Sequence, residues 1–140
     1  MEDSKPVSTP MVIGCSLSAN DDSTTVHQTT YRSMIISLLY LTGTRPDIMH
    51  AVGIVGRFQA NPKESHLQGV KRIFKYLQGT QNYGLWYTRD ADLTLHAYTY
   101  ADWAGSMDDR KSSSGGAFFM GSRLVSWFSK KQKFNCFIYS

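Results

Sequence analysis

Asp102, Asp108 and Asp109 are the acids whose type and spacing come nearest to metal chemistry. Carboxylates at a strand end can hold Mg²⁺, but two-metal phosphoryl transfer needs several of them converging on ions about 4 Å apart. Asp108 and Asp109 are adjacent and run straight into Arg110-Lys111, the composition of an ordinary loop turn. His27, His50, His66 and His96 show neither HxxxH nor HxH spacing, and Cys15 and Cys136 form no CxxC pair, so no zinc site is expected. Two free thiols in a reducing compartment are expected rather than a bridge. Serines 112–114 stand in no Gly-x-Ser-x-Gly elbow, and no Walker-type phosphate loop occurs. No catalytic residue, metal or cofactor is expected from the residues alone. The remaining chemistry is phosphate contact. Lys71, Arg72 and Lys75 cluster on one stretch, and Lys130 and Lys131 lie in a segment, 110–133, with six cations and no acid.

The elements that would position these groups change character along the chain. Of the 140 residues, 41% are hydrophobic and 13% aromatic, enough for one folded domain with a core. Residues 1–28 read as an extended polar lead, proline-broken at Pro6 and Pro10, with Met11-Val12-Ile13 as its apolar part. The start has neither the positive region nor the apolar run of a secretory signal, and no stretch approaches the ~18–20 apolar residues of a membrane span.

Residues 29–80 read as helical. Tyr31, Met34, Ile35, Leu38, Leu39 and Tyr40 repeat at three- and four-residue steps, and Gly43 is suited to a left-handed stop. Pro46 and Asp47 suit the first turn of a second helix, whose stripe is Ile48, Ala51, Val52, Val55 and Phe58. Asn61 as N-cap, Pro62 at the first position and Glu64 at the third predict the start of another, with Leu67, Val70, Ile73, Phe74 and Leu77 inward and Gly79 at its end. Its cations Lys71, Arg72 and Lys75 are expected on the solvent side.

From residue 81 to 140 the period becomes two. Strands are expected at Tyr83–Thr88, Leu93–Tyr100, Ser114–Met120 and Leu124–Phe128, with a turn at 89–92, a polar loop from Gly105 to Ser113 and a hairpin turn at Gly121-Ser122. The fold class is therefore α+β, three helices followed by an antiparallel β-meander.

Tyr31 to Asp47 (YRSMIISLLYLTGTRPD) resembles the "YRSxxGSLLYLxxTRPDI" run of copia-type retrotransposon Pol polyproteins. Phe58 to Asn61, Lys71 to Thr80 (KRIFKYLQGT) and Gly84 to Tyr87 (GLWY) continue that text. Ala101 to Gly105 (ADWAG), Asp109 to Ser112, Ser114 to Gly116, Val125 to Trp127 and Ser129 to Gln132 resemble the beginning of its RNase H domain. Lys5 to Pro10 belongs to the same text. The resemblance implies that Met1 falls within a polyprotein, downstream of the reverse transcriptase palm. It further implies that residues 81–140 are the first strands of an RNase H fold, incomplete.

Two departures from the family bear on activity. Its first RNase H strand carries a metal-ligating Asp where this chain has Tyr100. A phenol does not supply a carboxylate's charge, and Asp102, two residues along a strand, sits about 6.6 Å away on the same face. The second departure is the tail from Lys133 to Ser140, where the family continues into a helix bearing a catalytic Glu. The resemblance thus implies a non-catalytic fragment, with Phe118, Phe119, Trp127, Phe134, Phe137 and Ile138 on an apolar face left to cover. Nucleic acid, held weakly through the basic helix and tail, or a host protein are the implied partners. The chain also resembles short copia-like proteins counted among the secreted RxLR effectors of oomycetes, which implies suppression of host plant cell death. No Arg-x-Leu-Arg is present, Ser122-Arg-Leu-Val125 being the nearest run.

Overall fold

Apolar side chains at helical spacing place Tyr31, Ile35 and Leu38 on one face of α1 (Gln28–Leu41), and all three are fully buried in the computed structural model. The structure describes residues 4–89, 92–102 and 104–135, with Phe134 and Asn135 described by backbone alone. Parts of the expected 89–92 turn, Trp103, the Phe134 side chain and the tail with Cys136, Phe137 and Ile138 lie outside the described residues. The chain divides into two compact units, residues 1–83 and 84–140.

In the first unit, α1 is followed by a 3₁₀ turn at Pro46–Ile48, α2 (Met49–Val55), a second 3₁₀ turn at Gly56–Phe58 and α3 (Glu64–Gly79). Their apolar faces meet in one core built on Tyr31, Ile35, Leu38, Val52, Val55 and Ile73. Full burial of each such aliphatic side chain contributes about 1.5–3 kcal/mol. The Tyr31 hydroxyl donates to the Val55 carbonyl at 2.7 Å, so its polar end is satisfied inside that core, and burial raises its pKa.

Several local expectations need correction. Tyr40 and Leu39 face solvent, at 86% and 47% exposure, so the α1 stripe is narrower than its spacing implied. Gly43 does not take the left-handed conformation: Thr42, still right-handed, ends α1 with its amide donating to Leu38 and Leu39. The third helix begins at Glu64 with Lys63 as N-cap, not at Pro62 with Asn61. His66 accounts for the shift. Its Nδ1 accepts the Lys63 amide at 3.0 Å, supplying from inside the helix the cap that Asn61 was expected to supply from outside.

His66 also fastens the lead. With Nδ1 an acceptor, Nε2 carries the proton and donates to the Ser18 carbonyl at 2.8 Å, while the ring stacks on Phe58 at 3.9 Å. Val7, Met11 and Leu17 pack against the helical core, whereas Ile13 is 95% exposed.

The second unit is a three-stranded antiparallel sheet in the order β1 (Leu95–Ala101), β2 (Lys111–Met120), β3 (Arg123–Asn135). The meander is as expected, with Gly121 at φ 62° in the hairpin turn, where a glycine avoids the Cβ cost of that conformation. β2 begins at Lys111, inside the expected loop. Tyr83–Thr88 is not a strand; Tyr87 instead donates its hydroxyl to the Leu124 carbonyl at 2.7 Å.

Candidate functional site

The residues singled out for metal chemistry sit where β1 ends and β2 begins. Tyr100 pairs with Gly115 across the two strands, and its ring lies in the space that a Cβ at Gly115 would occupy. The position where the resemblance leads one to expect a metal-ligating acid thus holds an aromatic ring resting on a glycine. Asp102 turns back into the loop it precedes: its amide donates to the Ser113 carbonyl at 2.9 Å, and its carboxylate accepts the Ser113 amide. One of its two oxygens is thereby engaged in a charge-assisted hydrogen bond.

Ser112 completes this loop closure by accepting the Ala104 amide at 3.0 Å. Ala104 and Arg110, at φ 50° and 54°, carry the left-handed strain at either end, about 1–2 kcal/mol for each residue with a Cβ. Sequence reading had no signal for the serines, because Ser112 and Ser113 acquire their roles only when the loop folds onto Asp102 and Ala104.

Asp109 is held by cations instead of holding one of its own. Lys131 contacts it at 2.7 Å and Lys111 at 3.8 Å, and the Lys111 amide donates to it at 3.3 Å. Chiefly through Lys131, with help from Ser106 and the Lys111 amide, the carboxyl is drawn down to about 2. Among the described residues, no three His, Cys, Asp or Glu side chains converge as a metal would need.

The candidate phosphate contacts differ among themselves. On α3, Lys71 pairs with Glu64 at 3.5 Å and the Arg72 guanidinium donates to Thr9 at 3.0 Å. Lys71, Arg72 and Lys75 line a cavity of about 340 Å³ beneath the lead, with Met11 and Leu17 on its other wall, so they are half-buried and not simply solvated. In the sheet, Lys131 is committed to Asp109, while Lys130 is exposed.

Arg45 and Asp47, part of the run that carried the resemblance, form a clasp. Arg45 binds both carboxylate oxygens of Asp47, at 3.0 and 2.8 Å, and reaches the Thr80 carbonyl and hydroxyl at 3.0 and 2.7 Å. Tyr76 donates to Asp47 at 2.7 Å. The guanidinium so caps the end of α3, where unpaired carbonyls favour a cation. Burial pushes the Asp47 carboxyl up, but the hydrogen bonds from Arg45 and Tyr76 and the Arg45 charge outweigh it, leaving it below the ordinary value.

The chain as a whole is similar to known proteins. The chain is 46% identical over 92% of its length to the retrovirus-related Pol polyprotein from transposon RE1 of Arabidopsis thaliana. It is 44% identical over 74% of its length to the secreted RxLR effector protein 161 of Plasmopara viticola, 73% of which it covers. The chain belongs to the copia-type, retrovirus-related Pol family. The Pol polyprotein from transposon TNT 1-94 of Nicotiana tabacum is 44% identical over 95% of the chain. The chain spans 9% of the RE1 polyprotein and 10% of the TNT 1-94 polyprotein. No protein-family model matches the chain, and no solved structure matches it. Among the described residues of this family member, no helix is long and apolar enough to cross a membrane.

Proposed function

We propose that the chain is a non-catalytic copia Pol segment, the end of a reverse transcriptase joined to the opening strands of an RNase H, that acts by binding nucleic acid. The observation that carries this reading is the occupancy of the ligand position. Tyr100 stands there with its ring over Gly115, and the nearest acid, Asp102, is engaged by the Ser113 amide. Two-metal hydrolysis needs converging negative charge, and Asp109 is neutralised by lysines. The cations of residues 110–133 that no described acid neutralises, Lys130 foremost, supply the phosphate affinity, which is electrostatic and therefore salt-dependent. Incubation with a labelled RNA–DNA hybrid and Mg²⁺ or Mn²⁺ tests it. The hybrid is retarded in a native gel at low salt and stays intact; metal-dependent cleavage by the purified chain overturns the reading.

A second reading is favoured by one comparison. The relative named a secreted RxLR effector is matched over similar shares of both chains, unlike the Pol polyproteins. On that reading the partner is a host protein, met by the apolar sheet, and the outcome is suppression of host cell death. Leaf expression beside a death elicitor tests it, and unchanged necrosis excludes it.

A further inference from the structure

The three strands contain no acidic residue, although the segment that spans two of them carries six cations. Strand alternation sorts their side chains onto two faces. The pairs Ala97↔Phe118, Thr99↔Gly116 and Gly116↔Phe128 put Phe118 and Phe128 on one face, with Lys130 two residues beyond Phe128. Tyr98, Phe119, Trp127 and Lys131 belong to the other, and there Asp109 neutralises Lys131. Lys130 is exposed, and no acid among the described residues pairs with it. The first face therefore holds an exposed lysine, with no acid partner among the described residues, next to its aromatic rings.

Its aromatic rings form a platform. Phe118 and Phe128 stack loosely, centroids 6.3 Å apart and planes within 28°, with 37% and 41% of their surfaces exposed. Gly116 permits this, because the Phe128 ring fills the space a Cβ there would need. Two exposed, nearly parallel rings beside an unpaired ammonium suit a ligand with flat faces and a charged backbone. Unstacked bases have such faces, whereas a duplex hides them in its own stack.

We propose that this face binds single-stranded nucleic acid, bases stacking on Phe118 and Phe128 and phosphate meeting Lys130. The inference rests on the nucleic-acid reading above and adds strand state, face and residues. A short fluorescent oligothymidylate, its abasic counterpart and the same sequence as a duplex are titrated into the full chain by anisotropy. The single strand is expected to bind tighter than either of the others. Phe118→Leu with Phe128→Leu keeps apolar bulk but removes the stacking faces, and lowers single-strand affinity about tenfold or more while leaving abasic binding unchanged. Lys130→Gln reduces the slope of log affinity against log salt by about one. Circular dichroism of the variants checks that the sheet persists, and the abasic control reads backbone contact independently of it. Equal affinity for oligothymidylate and its abasic form, or leucine variants that bind as the parent does, would overturn the proposal while leaving salt-dependent binding intact. So would leucine variants that alter sedimentation but not oligonucleotide affinity, which would mark the face as a contact between copies of the chain. Failure of the parent to bind any of the three probes would instead sink the nucleic-acid reading itself.

Discussion

The two units solve the problem of burying apolar surface differently. In residues 1–83, Tyr31, Ile35, Leu38, Ile48, Val52 and Ile73 are fully buried, because three helices and the lead enclose one another's faces. In residues 84–140 every residue of β1 is exposed, Leu95 at 74% and Tyr98 at 66%. A lone sheet has two faces and two edges, and three strands cannot cover both faces of themselves. The helical unit thus has the means to be stable by itself, while the sheet presents surface suited to a partner.

The comparison breaks most visibly under truncation of matched apolar residues. Ile73→Ala should cost about 2–5 kcal/mol by denaturant unfolding followed in the helical circular dichroism, because a cavity is left in a closed core. Leu95→Ala, at an exposed position, should stay within about 0.5 kcal/mol. Similar losses at both sites would mean that the sheet is covered after all.

A smaller effect sharpens the picture of the helical unit. Arg45→Met leaves Asp47 and the end of α3 without their shared donor, and should cost about 1–3 kcal/mol in the same experiment. A neutral result would mean that the clasp closes through Tyr76 and Asp47 alone.

Smaller still are the acid effects, one in each unit. Both Asp47 and Asp109 are depressed in the fold, so each contributes stability above the ordinary carboxylate value of 3.8 that is lost as pH falls through its folded value. For Asp109 the window runs from 3.8 down to about 2. Asp109→Asn should flatten that part of the acid limb, read by the exchange of the Lys111 amide, which Asp109 accepts. High salt should weaken the effect, since Asp109 and its lysines are partly exposed. An unchanged limb in the Asn variant would separate the loop from the charge cluster.

How much of this could be read in advance depends on range. The α3 stripe was legible in part because periodicity is local: Val70 and Ile73 are buried, and Leu67, Phe74 and Leu77 partly so. The burial of His66 and Tyr76 lay outside the expected stripe. The meander was legible for the same reason, with alternation in Leu93–Tyr100 and a glycine turn at Gly121. The clasp was not, since Arg45 and Thr80 lie thirty-five positions apart and meet only when the chain folds. The lead was misread at one point: Met11-Val12-Ile13 looked like one apolar unit, yet Met11 joins the core while Ile13 faces solvent. Tyr83–Thr88 failed as a strand because β propensity states a preference and cannot supply a neighbouring strand. At the candidate site, the substitution at Tyr100 was visible in the residues themselves. The engagement of Asp102 by Ser113 was not, because it depends on how the loop closes.

Manganese titration of the full chain, followed by the loss of the free-ion electron paramagnetic resonance signal, addresses the account most directly. With Tyr100 seated on Gly115 and Asp102 tied to the Ser113 amide, the account predicts no saturable pair of ions and a signal that grows in proportion to added metal. Two manganese ions taken up per chain, and released on Asp102→Asn, would contradict it.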